Sequence, residues 1–438
     1  MSQATVSHSA FKSQLKKYYS FYAGGFIAFV LLLALAEQLG MSRRWIGYWF
    51  LFATVALYAG IGIMSRTTDV SEYYVAGRRV PALFNGMATG ADWMSAASFI
   101  GMAGGLYLQG FDGLAFIMGW TGGYCLVAFL LAPYLRKFGQ FTIPDFLGAR
   151  YGGNIARFIG ILAAILCSFT YVVAQIYGVG LITSRFTGVE FGVGVFLGLA
   201  GILVCSFLGG MRAVTWTQVA QYIILIVAYM IPVVWLSIKH TNFPIPQLVY
   251  GSVLEKVTAR EKQLIADPKE QEVRKIFADR AADLRKQVAE LPASWEAGKA
   301  NAARKIEDLK AANAPVADIN AAQKALDAYP KSADDAKKAW TTAAGGAAGR
   351  SAAPLPHATP FPSANPDPAK NDAERATKRL NFLALVVCLM VGTAALPHIL
   401  MRYYTTPSVK EARVSVTWSL FFIFLLYFTA PALAVLVK

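Results

Sequence analysis

An aspartate lies inside a long apolar stretch, where an ionisable side chain is expensive to bury. Asp92 interrupts the apolar run 82–108 and has Gly90, Ser95 and Ser98 close to it. At membrane depth a charge requires water, an ion or a partner, so a functional site is the first interpretation. Local unwinding there would free carbonyl oxygens, which are ligands for Na⁺. Two alternatives stay open: the small residues serve helix packing, or Asp92 lies at a helix end and meets water.

A second interruption is predicted near the end of the chain. Pro397 removes a backbone donor, Gly392 and Thr393 loosen the preceding turn, and His398 lies deep in the same apolar run. A histidine beside a proline is more often a packed polar residue than a ligand. Arg402 is predicted to mark the cytoplasmic end of this helix. Two interrupted spans of opposite direction are typical of an inverted-repeat transporter.

Two glutamines within apolar runs are further candidates. Gln175 and Gln218, with Tyr171 and Thr215, would line a cavity or form hydrogen bonds between helices, and both interpretations stay open. The four histidines form no Ser/His/Asp arrangement, and no His/Cys/Glu cluster has the spacing of a metal enzyme. We therefore predict that the protein is not an enzyme and has no cofactor, apart from Na⁺ as a coupling ion.

The elements that must position these residues are membrane helices. Of 438 residues, 56% are hydrophobic and only 15% are charged, which excludes an ordinary cytosolic enzyme. A spanning helix needs roughly 20 apolar residues. About nine runs satisfy that requirement: 21–39, 45–64, 82–108, 114–135, 155–184, 191–208, 214–238, 380–400 and 414–437.

The charges predict the topology. The formal net charge is +15, and outside one polar segment the basic residues cluster in alternate loops, which indicates membrane orientation and anionic headgroups, with no role for nucleic acid. The amino terminus is then cytoplasmic, and the polar insert 239–379 lies outside. The insert begins with Ala-, Glu- and Lys-rich helical sequence. From Thr341 it becomes a Gly-, Ala- and Pro-rich linker for which no structure is predicted.

Four segments, in order, resemble one known family. They are EYYVAGRRVPALFNGMATGADWMSAASFIGMAGGLY, GQFTIPDFLGARYG, FLGGMRAVTWTQVAQ and GTAALPHILMRYYTTPSVKEARVSV. Together they resemble the sodium:solute symporter family, and most closely its cation/acetate branch. The resemblance covers about 72–238 and 380–438. It implies an all-α polytopic protein with a leucine-transporter-type inverted-repeat fold.

The resemblance divides the chain into four parts. Residues 1–81 are peripheral membrane helices, 82–238 the first five-helix repeat, 239–379 the external insert, and 380–438 the start of the second repeat. The second repeat is therefore incomplete, and the chain is predicted to be truncated at its C-terminus. A small membrane subunit or a completing C-terminal fragment becomes a possible partner.

The resemblance also assigns a cation site. In that family the first core helix is broken and offers carbonyl oxygens to Na⁺, and the matching positions are Ala91 and Met94. Aligning on the acidic residue moves the site to Gly90 and Trp93, so both registers stay open. Where some relatives have an acidic residue near the ion, this chain has Gln218, which puts a second cation site in doubt.

The function implied is Na⁺-coupled symport of a small monocarboxylate, such as acetate, by alternating access. The alternative is a membrane sensor or scaffold that does not transport, or an inactive symporter fragment. Around the break, Asp92, Ser95, Ser98, Gln175 and Thr393 are the candidates for contact with ion or substrate, together with Gln218. Gly90 and Pro397 are the predicted positions of the two helix breaks.

Overall fold

The apolar runs fold as helices. The computed structural model describes residues 8–312, 314–353, 356–363 and 368–438, and every regular element within those ranges is helical. The α-helices are α1 His8–Gln38, α2 Arg43–Met64, α3 Val70–Val75, α4 Ala82–Trp93, α5 Met102–Gln109, α6 Leu114–Leu126, α7 Ala132–Phe138, α8 Ile143–Tyr151, α9 Asn154–Thr187, α10 Phe191–Thr241, α11 Pro246–Ala266, α12 Pro268–Ala289, α13 Ala293–Ala311, α14 Val316–Asp327, α15 Ala333–Ser351, α16 Pro368–Ala394, α17 Pro397–Leu400 and α18 Val409–Val437. Two π-helical turns are present: Ala97–Gly101 leads directly into α5, and Val127–Leu131 joins α6 to α7.

Seven helical segments of the described chain are long and apolar enough to cross a membrane. The all-helical, polytopic class is thus confirmed, with seven such segments where about nine runs are predicted. The third predicted run is interrupted, and its second half belongs with the fourth run in the segment Ala97–Phe138. The sixth run begins as the shorter apolar helix Phe191–Ala200.

The helices α4, α10 and α18 lie at the centre of the part of the chain that contains the candidate membrane spans. These three helices pack against one another, and about half of the residues of α18 are buried. The approach of α4 to α18 depends on Gly86, where an added Cβ would lie 2.5 Å from the Cβ of Trp418. By contrast, α1, α2 and α9 expose many large apolar side chains, as expected of helices in contact with lipid.

Local sequence fixes the start of α18. Ser408 is the N-cap of α18, and its hydroxyl accepts from the Glu411 amide at 3.2 Å. The Glu411 carboxylate also accepts from the amide of Ala82 at 3.0 Å, so it satisfies a free donor in the first turn of α4. Ser408 and Glu411 therefore satisfy amides at the starts of both α18 and α4.

The long helix α10 is two helices joined at a kink. Gly210 has φ of 49° and ψ of −139°, a conformation that favours glycine. A Cβ there would lie 2.6 Å from the carbonyl oxygen of Tyr73 in α3. The glycine therefore permits both the bend and the close approach of α3, and it separates the predicted runs 191–208 and 214–238.

The chain divides into two compact units. One comprises Met1–Leu254 and Ala376–Lys438, and the other comprises Glu255–Arg375. Within the second, α12 and α15 pack together and bury alanines, including Ala344 and Ala347.

The prediction of no structure from Thr341 is wrong as far as Ser351. The helix α15 continues to that residue because alanine is a strong helix former and its buried face packs on α12. Residues 354, 355 and 364–367 of the predicted linker lie outside the described residues.

Candidate functional site

The first interruption lies where α4 ends. The helix stops at Trp93 and Met94 has ψ of 54°. Helical structure resumes at Ala96 and continues as the π-helical turn Ala97–Gly101. The break is thus at Met94 and Ser95, and the expectation of a break at Gly90 is wrong. Gly90 lies within α4, and a Cβ there would be 3.0 Å from the ring of Tyr222.

The break leaves backbone groups that nearby atoms satisfy. The amide of Met94 donates to the carbonyl oxygens of Gly90 and Ala91, both at 3.1 Å. A carbonyl oxygen has two lone pairs, so the Ala91 oxygen retains capacity for a cation. The carbonyl of Asp92 accepts from the hydroxyl of Tyr171 at 3.5 Å. The cation site at Ala91 and Met94, like its alternative register at Gly90 and Trp93, stays a prediction.

Three predicted polar side chains gather at this break. Gln175 of α9 accepts from the amide of Ala96 at 3.1 Å, and the hydroxyl of Ser95 accepts from the Ser98 amide at 3.3 Å. The Ser98 hydroxyl is 3.1 Å from that of Tyr427 in α18. The bonds from the amides of Ala96 and Ser98 replace helical partners lost at the interruption. A cavity of about 290 Å³ adjoins them, and its lining includes Met94, Ser95, Ala96 and Gln175.

The second interruption separates α16 from α17. Ala394 ends one helix, Leu396 is extended with ψ of 117°, and Pro397 begins the next, where its missing amide costs no hydrogen bond. The break therefore immediately precedes Pro397. His398 lies against Tyr171, with ring centroids 4.6 Å apart. Since the Tyr171 hydroxyl points to the carbonyl of Asp92, one tyrosine contacts both interrupted helices.

Thr393 takes no part in this group. It is buried beside α6, and a Cβ added to Gly123 would be 2.7 Å from the Cβ of Thr393. The threonine thus lies at a helix contact, and its close neighbour there is a glycine.

The partner of Asp92 is Arg402, 310 residues along the chain. The guanidinium Nε donates to Asp92 Oδ2 at 2.5 Å, and Nη2 donates to Oδ1 at 3.1 Å. The side chain of Arg402 is 2% exposed and that of Asp92 is 7% exposed. A two-point bond between buried opposite charges is strong and directional, and it joins a residue beside one break to a residue just after the other.

Two residues of α10 form further hydrogen bonds with this ion pair. Arg402 Nη1 donates to the hydroxyl of Thr215 at 2.8 Å. The side-chain amide of Gln218 donates to Asp92 Oδ1. Its other atom, Oε1, is buried and has no hydrogen-bond partner among the described residues. The structure therefore places Gln218 beside Asp92, with an acceptor still to be satisfied.

Sequence reasoning missed the role of Arg402. It was expected at the cytoplasmic end of a helix, and the structure instead buries it in a 3₁₀ turn, Met401–Thr405. The available signal was the charge balance: a buried aspartate requires a cation, and Arg402 follows the predicted break at Pro397 by five residues. The excess of basic residues in loops concealed that signal because the same arginine also fits a topology rule.

A separate charged cluster is centred on Glu72, which lies outside the candidate spans. Glu72 of α3 accepts from Thr67 at 2.8 Å and pairs with Arg79 and with Arg212, each at 2.5 Å. Burial alone would raise the pKa of the Glu72 carboxyl, but the Thr67 hydrogen bond and the two guanidinium groups outweigh it. The pKa of Glu72 therefore lies below its ordinary value.

Known proteins resemble parts or most of this chain. Residues 73–249 match the Sodium:solute symporter family. An uncharacterized symporter of Cupriavidus necator is 54% identical over 99% of this chain, and the chain spans 63% of that protein's length. An uncharacterized symporter of Bacillus subtilis is 35% identical over 36% of the chain and 31% of its own length.

A solved structure of a Na⁺-coupled sialic acid symporter, in a substrate-bound outward-open state, also resembles the chain. The two are 16% identical, with a TM-score of 0.42 over 89% of this chain and 80% of that one. The family match contains Asp92 and Gln218, whereas Arg402 lies beyond it.

Proposed function

We propose that this chain belongs to a Na⁺-coupled symporter of the sodium:solute symporter family that carries a small monocarboxylate, such as acetate, by alternating access. The observation that carries the proposal is the buried pair of Asp92 and Arg402, which connects two interrupted helices. Such helices place backbone oxygens and charged groups at the middle of a membrane, where a coupling ion and a solute bind.

The chemistry of the residues favours these two ligands. Guanidinium is well suited to a carboxylate because it presents paired donors in one plane. Na⁺ is a hard cation that prefers oxygen, and we assign its ligands to the carbonyl oxygens of Ala91 and Met94, beside Asp92. Ser95 and Gln175 lie at the same break and offer further polar atoms there.

The proposal includes an architecture and a location. The interrupted helices α4–α5 and α16–α17 would be the first helices of two inverted repeats of the leucine-transporter type. We place the protein in a bacterial inner membrane with a cytoplasmic amino terminus. The unit Glu255–Arg375 would then lie on the external side. The alternation of basic loops supports this orientation.

Uptake into proteoliposomes tests the function. The chain and the full-length Cupriavidus symporter would be reconstituted in parallel and given radiolabelled acetate, with an inward gradient of Na⁺ or of choline. We expect accumulation that requires Na⁺ and persists when an ionophore collapses any proton gradient. Accumulation that is equal in choline, or none from either protein, would exclude the proposal.

A further inference from the structure

Groups of the protein itself satisfy the charges of Asp92 and Arg402. Arg402 directs Nε and Nη2 at the Asp92 carboxylate and Nη1 at the Thr215 hydroxyl. Asp92 in turn accepts from Arg402 and Gln218. Both charges are thus satisfied inside the protein, with no ligand required.

Binding of either ligand alone would disrupt this balance. A cation that took the Asp92 carboxylate would leave Arg402 buried without a counter-charge. A carboxylate that took Arg402 would leave Asp92 in the same condition. An uncompensated buried charge is strongly unfavourable, whereas two complete pairs are not. Cation and anion together therefore bind at far lower cost than either one separately.

The position of the two residues permits such an exchange. Asp92 lies two residues before the break at Met94, and Arg402 lies six residues after the extended Leu396. Each charge is therefore attached to a helix end next to irregular backbone, where small changes of φ and ψ move a side chain. Gln218 Oε1, which has no partner among the described residues, is an oxygen already placed beside the Asp92 carboxylate.

We infer that Asp92 and Arg402 form an exchangeable pair that couples the two ligands. The substrate carboxylate replaces Asp92 on the Arg402 guanidinium, and Na⁺ takes the released Asp92 carboxylate, with Gln218 Oε1 as a further ligand. This inference rests on the proposed function and adds to it the anion site and the origin of coupling. By reciprocity, each ligand raises the affinity for the other by the same factor.

Equilibrium binding to the purified full chain in lipid nanodiscs tests the exchange. Radiolabelled acetate would be titrated with Na⁺ or choline present, and acetamide would be the neutral competitor. For the wild type we expect Na⁺ to raise acetate affinity by on the order of tenfold. Asp92→Asn leaves Arg402 available, so acetate should bind at least as tightly as to the wild type in Na⁺, with no effect of Na⁺. Acetamide should not compete.

The arginine side is tested separately. Arg402→Gln should lose acetate binding but retain binding of radioactive sodium at Asp92. Arg402→Lys keeps the charge but loses the paired donors, so acetate should bind more weakly while the Na⁺ effect remains. If thermal unfolding shows that Asp92→Asn does not fold, Arg402→Lys tests the exchange in its place.

The outcomes separate the two proposals. If the wild type shows Na⁺-stimulated acetate binding and Asp92→Asn shows the same stimulation, the exchange is wrong and the proposed function stands. Loss of the Na⁺ effect in Arg402→Lys also contradicts the exchange. If the wild type binds no acetate, or binds it equally in choline, both proposals are overturned.

Discussion

Removing one partner of the Asp92–Arg402 pair should destabilise the fold more than removing both. In Arg402→Gln the Asp92 carboxylate, 7% exposed in the native protein, keeps a donor only from Gln218. At a separation of about 4 Å and an effective dielectric of about 20, the lost attraction is about 4 kcal/mol. Breaking a buried ion pair by removing one partner costs about 3–5 kcal/mol. We expect that loss for Arg402→Gln and a similar loss for Asp92→Asn.

The double variant Asp92→Asn/Arg402→Gln replaces both charges by neutral amides. Its loss should be within about 2 kcal/mol, because replacing a complete buried pair is often nearly neutral. The interaction free energy from the double-mutant cycle should therefore be several kcal/mol. The matched control is Arg157→Gln, which removes an arginine from the pair with Asp145, where the Arg157 side chain is 54% exposed. That change should cost under about 1 kcal/mol.

The assay is reversible unfolding in mixed micelles, with dodecyl sulfate as denaturant and circular dichroism as the signal. Each variant gives a free energy of unfolding, and the four values close the cycle. If the two single losses add up to the double loss, the charges do not interact strongly. A loss for Arg157→Gln as large as that for Arg402→Gln would likewise show that burial is not the source of the cost.

Three further changes test the fold. Gly210→Ala places a Cβ at positive φ and 2.6 Å from the Tyr73 carbonyl oxygen, so it should lower the free energy of unfolding by about 1–3 kcal/mol. The control is Gly345→Ala, which lies in open space within a helix and should raise that free energy by about 0.5–1 kcal/mol. Both values are measured by the same unfolding titration. Because folding lowers the pKa of Glu72, its contribution to stability is complete above about pH 5 and is lost as pH falls through the folded pKa. Unfolding free energies of wild type and Glu72→Gln should therefore converge in acid, and a constant difference would contradict this. Ser408→Ala should cost about 1 kcal/mol through loss of the α18 cap, measured by the same titration, and no loss would mean that the cap is dispensable.

Much of the fold could be predicted from neighbouring residues. Apolar runs predicted the membrane helices, Pro397 predicted the second helix break to within a residue, and the polar residues of 90–98 predicted the first. The predicted position of that first break was wrong by about four residues. Gly90 looked like a point of weakness, but its lack of a side chain serves the packing of Tyr222 against α4.

The candidate site was predicted only in part. Asp92, Gln175 and Gln218 could be selected because polar atoms are expensive in an apolar span wherever the helix packs. Arg402 could not be assigned by the same argument, since an arginine at a helix end and an arginine in a buried pair have the same local sequence. Which of these two environments Arg402 has depends on whether α17 turns back towards α4 or outwards.

By itself the sequence determined that this chain forms apolar helices, that two of them are interrupted, and that Asp92 must find a counter-charge or water. These properties depend on bonds within a few residues, and so they can be read from neighbours along the chain. Only the tertiary structure decided that the counter-charge is Arg402, with Thr215 and Gln218 around it. Those contacts arise from the packing of helices that are hundreds of residues apart in sequence, and the burial that makes the pair strong exists only after they have packed.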